Sequence, residues 1–172
     1  MNPILMRLNL VIYTSMLFII QSGIIKTMHI MSSAFEHTGS IPSKYTCDDE
    51  NINPSLSISD VHSSAKTLVL IVDDPDAHGG TWTHWVVWNI PSDTREIMEG
   101  AVPKGAIQGK TNRANSYHGP CPPSGTHRYF FKLYALDTVL NIPLTSTRGN
   151  VEEAMKGHIV ADAKLMGTYE RK

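Results

Sequence analysis

The 172-residue sequence predicts a mainly β protein, a β-sandwich with one minor helix near the C-terminus. Three observations carry that prediction. Strand-like runs rich in β-branched and aromatic residues recur along the chain, long turn-rich stretches separate them, and only one late segment carries helix start signals. No Gly-rich nucleotide motif precedes a helix, so P-loop and dinucleotide-binding α/β readings are excluded.

The N-terminal 27 residues stand apart. "MNPILMRLNLVIYTSMLFIIQSG" places Arg7 before an apolar run from Leu8 to Ile20, followed by Gln21, Ser22 and Gly23. This order resembles a secretory signal peptide. Asn9, Thr14 and Ser15 interrupt the run, and its length falls short of a membrane span. The expectation is a leader or hydrophobic segment at 1–27 and a single domain at 28–172, exported to the periplasm or beyond. Translation from Met28 or Met31 would instead predict a cytoplasmic protein. A chain of this length suits one domain with its own core.

Within the domain, "TLVLIVDD" (67–74) is a continuous apolar run ending in two carboxylates, as expected of a strand covered on both faces. "HWVVWNIP" (84–91) is the second strand, closed by Pro91, and "HRYFFKLYALD" (127–137) is the third. Asn150 is the expected helix N-cap, with Glu153 as capping-box partner and Gly157 as the stop. The tail from His158 reads as a closing strand.

Charge excludes several partners. With 15 basic and 16 acidic residues, there is no basic stripe for nucleic acid and no block of like charge. The two cysteines, Cys47 and Cys121, lie outside any C-x-x-C. They would pair in an oxidising compartment and stay thiols in a reducing one, and alone they make no zinc site.

Strand phase brings polar groups together. Asp74 alternates with Leu68, Leu70 and Val72, and His127 and Tyr129 begin the row that continues through Phe131, Leu133 and Ala135. His84 counts in phase with Val86, Trp88 and Ile90. If the first two strands are antiparallel, Asp74 and His84 share one end of the sheet, where His127 and Tyr129 can join them. Buried carboxylates and imidazoles need partners, so the cluster is either a hydrogen-bonded plug or a binding site.

The stretch "HGPCPPSGT" before His127 supplies a wall. Gly119 permits close backbone approach, Pro120, Pro122 and Pro123 stiffen the loop, and Ser124, Gly125 and Thr126 bring donors. Donors beside imidazoles suit an anion, with Asp74 and Asp76 expected to orient the rings.

Competing chemistries are weaker. "DPDAHGG" matches the start of an EF-hand loop, but Trp85 stands where its final Glu is required. A metal site at Asp74, His84 and His127 has no supporting motif spacing. A hydrolase using Cys121 or Ser124 with His127 is the alternative function, although no G-x-S-x-G elbow is present.

"DDPDAHGGTWTHWVVWNIP" and "GPCPPSGTHRYFFKLYALD" resemble the two signature segments of the phosphatidylethanolamine-binding protein (PEBP), or Raf kinase inhibitor-like, family. "IPSKYTCDDENINPSL" and the C-terminal tail resemble its bacterial YbhB/YbcL-type branch. The resemblance implies a PEBP-like β-sandwich whose pocket accepts phosphate or a phosphorylated head group. Carried onto this sequence, the pocket is Asp74, Asp76, His84, Gly119, Pro120, His127 and Tyr129. It also implies a homodimer that modulates a kinase or protease partner, with no cofactor and no catalysis of its own. Three positions depart from the pattern: His78 replaces a usual proline, Ile58 replaces a frequent aromatic, and His118 stands where glycines are common.

Overall fold

Residues 27–171 are described by a computed structural model, so all but the last residue of the expected leader lies outside the described residues. Strands β1 (His29–Ser32), β2 (Leu56–Ser59) and β5 (Glu96–Ile97) form a small sheet in the order β1-β2-β5. A larger sheet has the order β6-β4-β3-β7-β8, built from β3 (Thr67–Asp74), β4 (Trp82–Pro91), β6 (Ile107–Gln108), β7 (His127–Leu136) and β8 (Ile159–Tyr169). Every neighbouring strand pair in both sheets is antiparallel. Helix α1 (Arg148–Met155) covers the outer face of the larger sheet. Among the described residues no helix is long and apolar enough to cross a membrane.

Strand β3 sits at the centre of the larger sheet, which explains its unbroken apolar text. Leu68, Leu70 and Val72 pack into the core between the sheets, with Phe131 and Leu133 of β7 beside them. Val69 and Ile71 point the other way and meet Val151 and Met155 of α1. All eight β3 residues are buried. Each such Leu or Ile contributes about 2 kcal/mol of burial.

Strand β4 changes phase twice. Val72 lies opposite Trp85 but Asp73 lies opposite Thr83, so His84 is an extra residue on the β4 side. A second irregularity falls between the Leu68–Ile90 and Leu70–Val87 pairs, where Asn89 has φ of 54°. The Asn89 amide bonds both the N–H and the C=O of Leu140 at 2.9 Å, fixing that kink to the loop leading to α1. These bulges correct the expected face of β4. Val86 and Trp88 belong to the helix side, whereas Trp85, Val87 and Ile90 belong to the inter-sheet core.

The helix begins one turn earlier than expected. Thr147 is the N-cap and Asn150 is its reciprocal partner at the third helical position, accepting from the Thr147 N–H at 3.0 Å. Asn150–Glu153 has the spacing of a capping box, but the chain uses the same spacing one register upstream. The helix ends at Met155, and Gly157 follows with φ of 79°.

Cys47 and Cys121 are joined in a disulfide that spans 74 residues of sequence. The strands 56–59, 96–97 and 107–108, and the opening strand 29–32, had no clear signal in the sequence.

Candidate functional site

The irregular start of β4 and the two long loops flanking it shape a cavity of about 190 Å³ at one end of the larger sheet. Asp74 from β3, His84 from β4 and His127 from β7 meet there, because the antiparallel pairing puts the end of one strand beside the starts of the other two. The bulge brings His84 to the same side as Asp74. In a regular ladder it would share its face with Val86 and Trp88.

Asp74 is fixed through both oxygens. Its Oδ1 accepts the N–H of Asp76 at 2.8 Å, an Asx turn closed by the Asp-Pro-Asp sequence. Its Oδ2 accepts from Nδ1 of His127 at 2.8 Å, and both side chains are buried. The shared hydrogen bond offsets the desolvation of the pair and leaves the His127 Nε2 free of protein partners.

His84 is 3 % exposed. Its Nδ1 donates to the main-chain carbonyl of His118 at 2.5 Å, while the His118 N–H donates back to the His84 carbonyl at 3.0 Å. The His118 ring stacks on His84 at 5.9 Å, and Tyr129 meets it edge-on at 5.2 Å. Burial pushes the His84 imidazolium down to about 4, against the pull of the His118 carbonyl and Asp74 in the other direction. Burial, with a smaller repulsion from Arg113, also lowers His118. The Tyr129 hydroxyl is buried without a hydrogen-bond partner, and burial, then the Asp74 charge, raises it.

The remaining expected residues take different positions. Asp76 turns away and pairs with Arg128 instead of with an imidazole. Gly119 and Pro120 are buried behind the wall, not on the cavity lining. A Cβ at Gly119 would lie 2.2 Å from the Tyr45 carbonyl oxygen, so this glycine allows two backbones to approach each other. The Gly119 N–H donates to Asn51 Oδ1 at 2.7 Å, and the Pro120 carbonyl accepts from the Cys47 N–H at 3.0 Å. The lining of the wall comes from Cys121, Pro122 and Pro123. Ser124 is exposed and does not line the cavity.

Sequence phase missed the mouth. Arg113, Trp82 and Ala77 line it together with the two irregular histidines, His78 and His118. His78 approaches His127 with ring centroids 6.5 Å apart. Arg113 caps a tight turn in which Thr111 Oγ1 accepts from the N–H groups of Arg113 and Ala114 at 3.1 and 3.0 Å. The Thr-Asn-Arg-Ala turn was the available signal for it. Its guanidinium has no acidic partner among the described residues. Nor is any group of three His, Cys, Asp or Glu side chains among the described residues placed to hold a metal ion.

The same architecture recurs in proteins of known structure and sequence. A family profile described as phosphatidylethanolamine-binding protein matches residues 31–170. A UPF0098 protein of Methanothermobacter thermautotrophicus is 51% identical over 150 residues, covering 84% of this chain and 99% of its own. The crystal structure of a putative phosphatidylethanolamine-binding protein homologue from Chlamydia trachomatis superposes with a TM-score of 0.81 at 44% identity, covering 85% of this chain and 99% of that one. Escherichia coli YbcL, described as a new member of the mammalian PEBP family, gives 0.80 at 29% identity, covering 86% and 100%. With its two sheets, late helix and nearly full-length sequence match, this chain belongs to the phosphatidylethanolamine-binding protein family.

Proposed function

We propose that the protein binds a small anion, phosphate or a phosphorylated head group, in the cavity between Asp74, His84 and His127, and that ligand occupancy modulates a protein partner. The observation that carries this reading is the unpaired Arg113 guanidinium on the same small cavity as the buried His127–Asp74 pair. An uncompensated cation over a pocket attracts anions, and desolvated walls strengthen that attraction. The partner is a kinase or protease, the working form is a homodimer, and no cofactor is required; these three follow from family resemblance. Export to the periplasm or beyond is supported by the leader-like text of residues 8–20 and by the Cys47–Cys121 disulfide, a bond that persists in oxidising compartments.

No observation favours the hydrolase alternative, because the Cys121 sulfur is bonded to Cys47 and Ser124 stands outside the cavity.

Titration with phosphate or phosphorylethanolamine, followed through the imidazole NMR signals, tests the proposal. Shifts at His84 and His127 are expected. Silence at both rings with ligand in the millimolar range would overturn it.

A further inference from the structure

The cavity attracts anions at its mouth but offers hydrogen-bond acceptors at its floor. The His118 carbonyl takes the Nδ1–H of His84, which fixes the tautomer: in the neutral ring Nε2 is then a lone pair. Neither Nε2 of His84 nor that of His127 has a protein partner. Neither is among the sealed, unpartnered polar atoms, which are Asp73 Oδ1, Trp88 Nε1 and Tyr129 Oη. Both ring nitrogens are therefore reachable from the cavity. Asp74 adds a second acceptor, since a carboxylate that already holds two N–H groups has lone pairs to spare. Pro122 and Pro123 supply wall surface without an N–H.

We infer that the cavity selects, among small anions, those that still carry a proton, so that it takes hydrogen phosphate or a protonated phosphomonoester in preference to sulfate or a phosphodiester. This rests on the anion-binding reading above and goes further by naming the ligand's protonation state. A P–OH donates to His84 Nε2, while an unprotonated oxygen faces the Arg113 side of the cavity. Sulfate and dimethyl phosphate would set an oxygen lone pair against the nitrogen lone pair and leave a buried acceptor unsatisfied. The burial that keeps His84 neutral down to about 4 preserves the acceptor across the physiological range.

The titratable groups around His84 are Asp74 from β3, Tyr129 and His127 from β7, His118 and Arg113 from the wall loop, and His78 from the β3–β4 loop. Their protonation changes act more strongly on dianions than on monoanions, so anions of like charge are compared at the same pH. Calorimetric titrations of the full domain would use inorganic phosphate, glycerol phosphate, dimethyl phosphate and sulfate. They would be run at about pH 5 and about pH 8, either side of a monoester's second pKa near 6. At the lower pH, where phosphate, glycerol phosphate and dimethyl phosphate are all monoanions, the first two are expected to bind at least about tenfold tighter than dimethyl phosphate. At the higher pH, inorganic phosphate, glycerol phosphate and sulfate are all dianions. Inorganic phosphate keeps one P–OH and is expected to bind at least about tenfold tighter than sulfate, whereas glycerol phosphate has lost its P–OH and its advantage.

In His84→Asn the amide still donates to the His118 carbonyl but Nε2 is gone. The phosphate-to-sulfate ratio is then expected to fall to about one, with sulfate binding retained. Equal binding of sulfate and phosphate by the unmodified protein, or a ratio unchanged in His84→Asn, would overturn the inference. Should that variant not fold, the pH behaviour of glycerol phosphate against inorganic phosphate decides alone. Failure of all four anions to bind the unmodified protein would instead sink the anion-binding function itself.

Discussion

Arg128, on the outward side of β7, grips both carboxylate oxygens of Asp76, with guanidinium contacts of 2.6 and 2.8 Å and its own main-chain N–H at 3.0 Å. The guanidinium holds the Asp76 carboxyl down at about 2. Two residues of the Asp-Pro-Asp turn thus have separate tasks. Asp74 faces inward and fixes His127, whereas Asp76 faces outward and ties the β3–β4 turn to β7.

That division predicts contrasting variants. Arg128→Ala is expected to leave the urea midpoint nearly unchanged, because the arginine is half exposed and solvent screens the pair. It should leave phosphate affinity within about threefold, since Arg128 lies outside the cavity. Asp74→Ala should weaken phosphate binding by at least about tenfold, because it leaves the buried His127 imidazole without its acceptor. Urea unfolding combined with NMR titration of both variants tests the contrast.

His84 makes stability depend on pH between about 6.5 and about 4. Its proton affinity is lower in the folded state, so the unfolded chain binds the extra proton within this window. Stability from this residue is complete above the unfolded value and is lost as pH falls towards the folded one. The shift corresponds to about 3 kcal/mol across the window. Urea midpoints measured against pH should fall over that range, and His84→Asn should flatten this component of the profile.

The disulfide closes a long loop and constrains the unfolded chain. The loop-entropy relation gives about 4 kcal/mol for a separation of 74 residues. Replacing Cys47 and Cys121 together with serine should remove about that much, read as a shift in urea midpoint. Adding reductant to the unmodified protein should approach the same endpoint, and no shift in either case would exclude the bond as a stabiliser.

Gly119→Ala places a methyl group against the Tyr45 carbonyl oxygen and the Thr46 Cα, at 2.2 and 2.7 Å. Both neighbours are backbone, so the wall must move as a unit. A stability loss of about 2 kcal/mol or more is expected, together with displaced His118 and His84 NMR signals. An alanine variant with unchanged stability would show that the wall is seated loosely.

Much of the site's floor was legible in the sequence because alternation along β3 and β7 is regular. Asp74 and His127 line the cavity as counting along their strands predicts, and Tyr129 shares that inward face but lies in the core behind the lining. His84 reached the cavity for a different reason. Counting across β4 failed because two bulges add residues, and nothing in "HWVVWNIP" marks either except an asparagine that tolerates positive φ. Alternation along β7 puts Arg128 on the outward face, but its partner could not be read because Asp76 is 52 residues away. The small sheet was missed because its strands have four residues or fewer and gain their stability from packing rather than propensity. The mouth was hidden for a related reason: Arg113 is placed by a turn inside a long irregular stretch, where periodicity carries no information.

The link between Cys47 and Cys121 also divides the cavity by covalent topology. Asp74, His78, His84, Arg113 and His118 lie inside the ring that the bond closes, while His127, Tyr129 and the whole of α1 and β8 hang from it as a tail. A protease that nicks the exposed Gly79–Gly80 turn opens the ring without releasing a fragment, so the cut chain still migrates as one species until reductant is added. Cleavage in the exposed 124–126 segment has the opposite result, separating ring from tail and parting His127 from its carboxylate with no disulfide to hold the halves together.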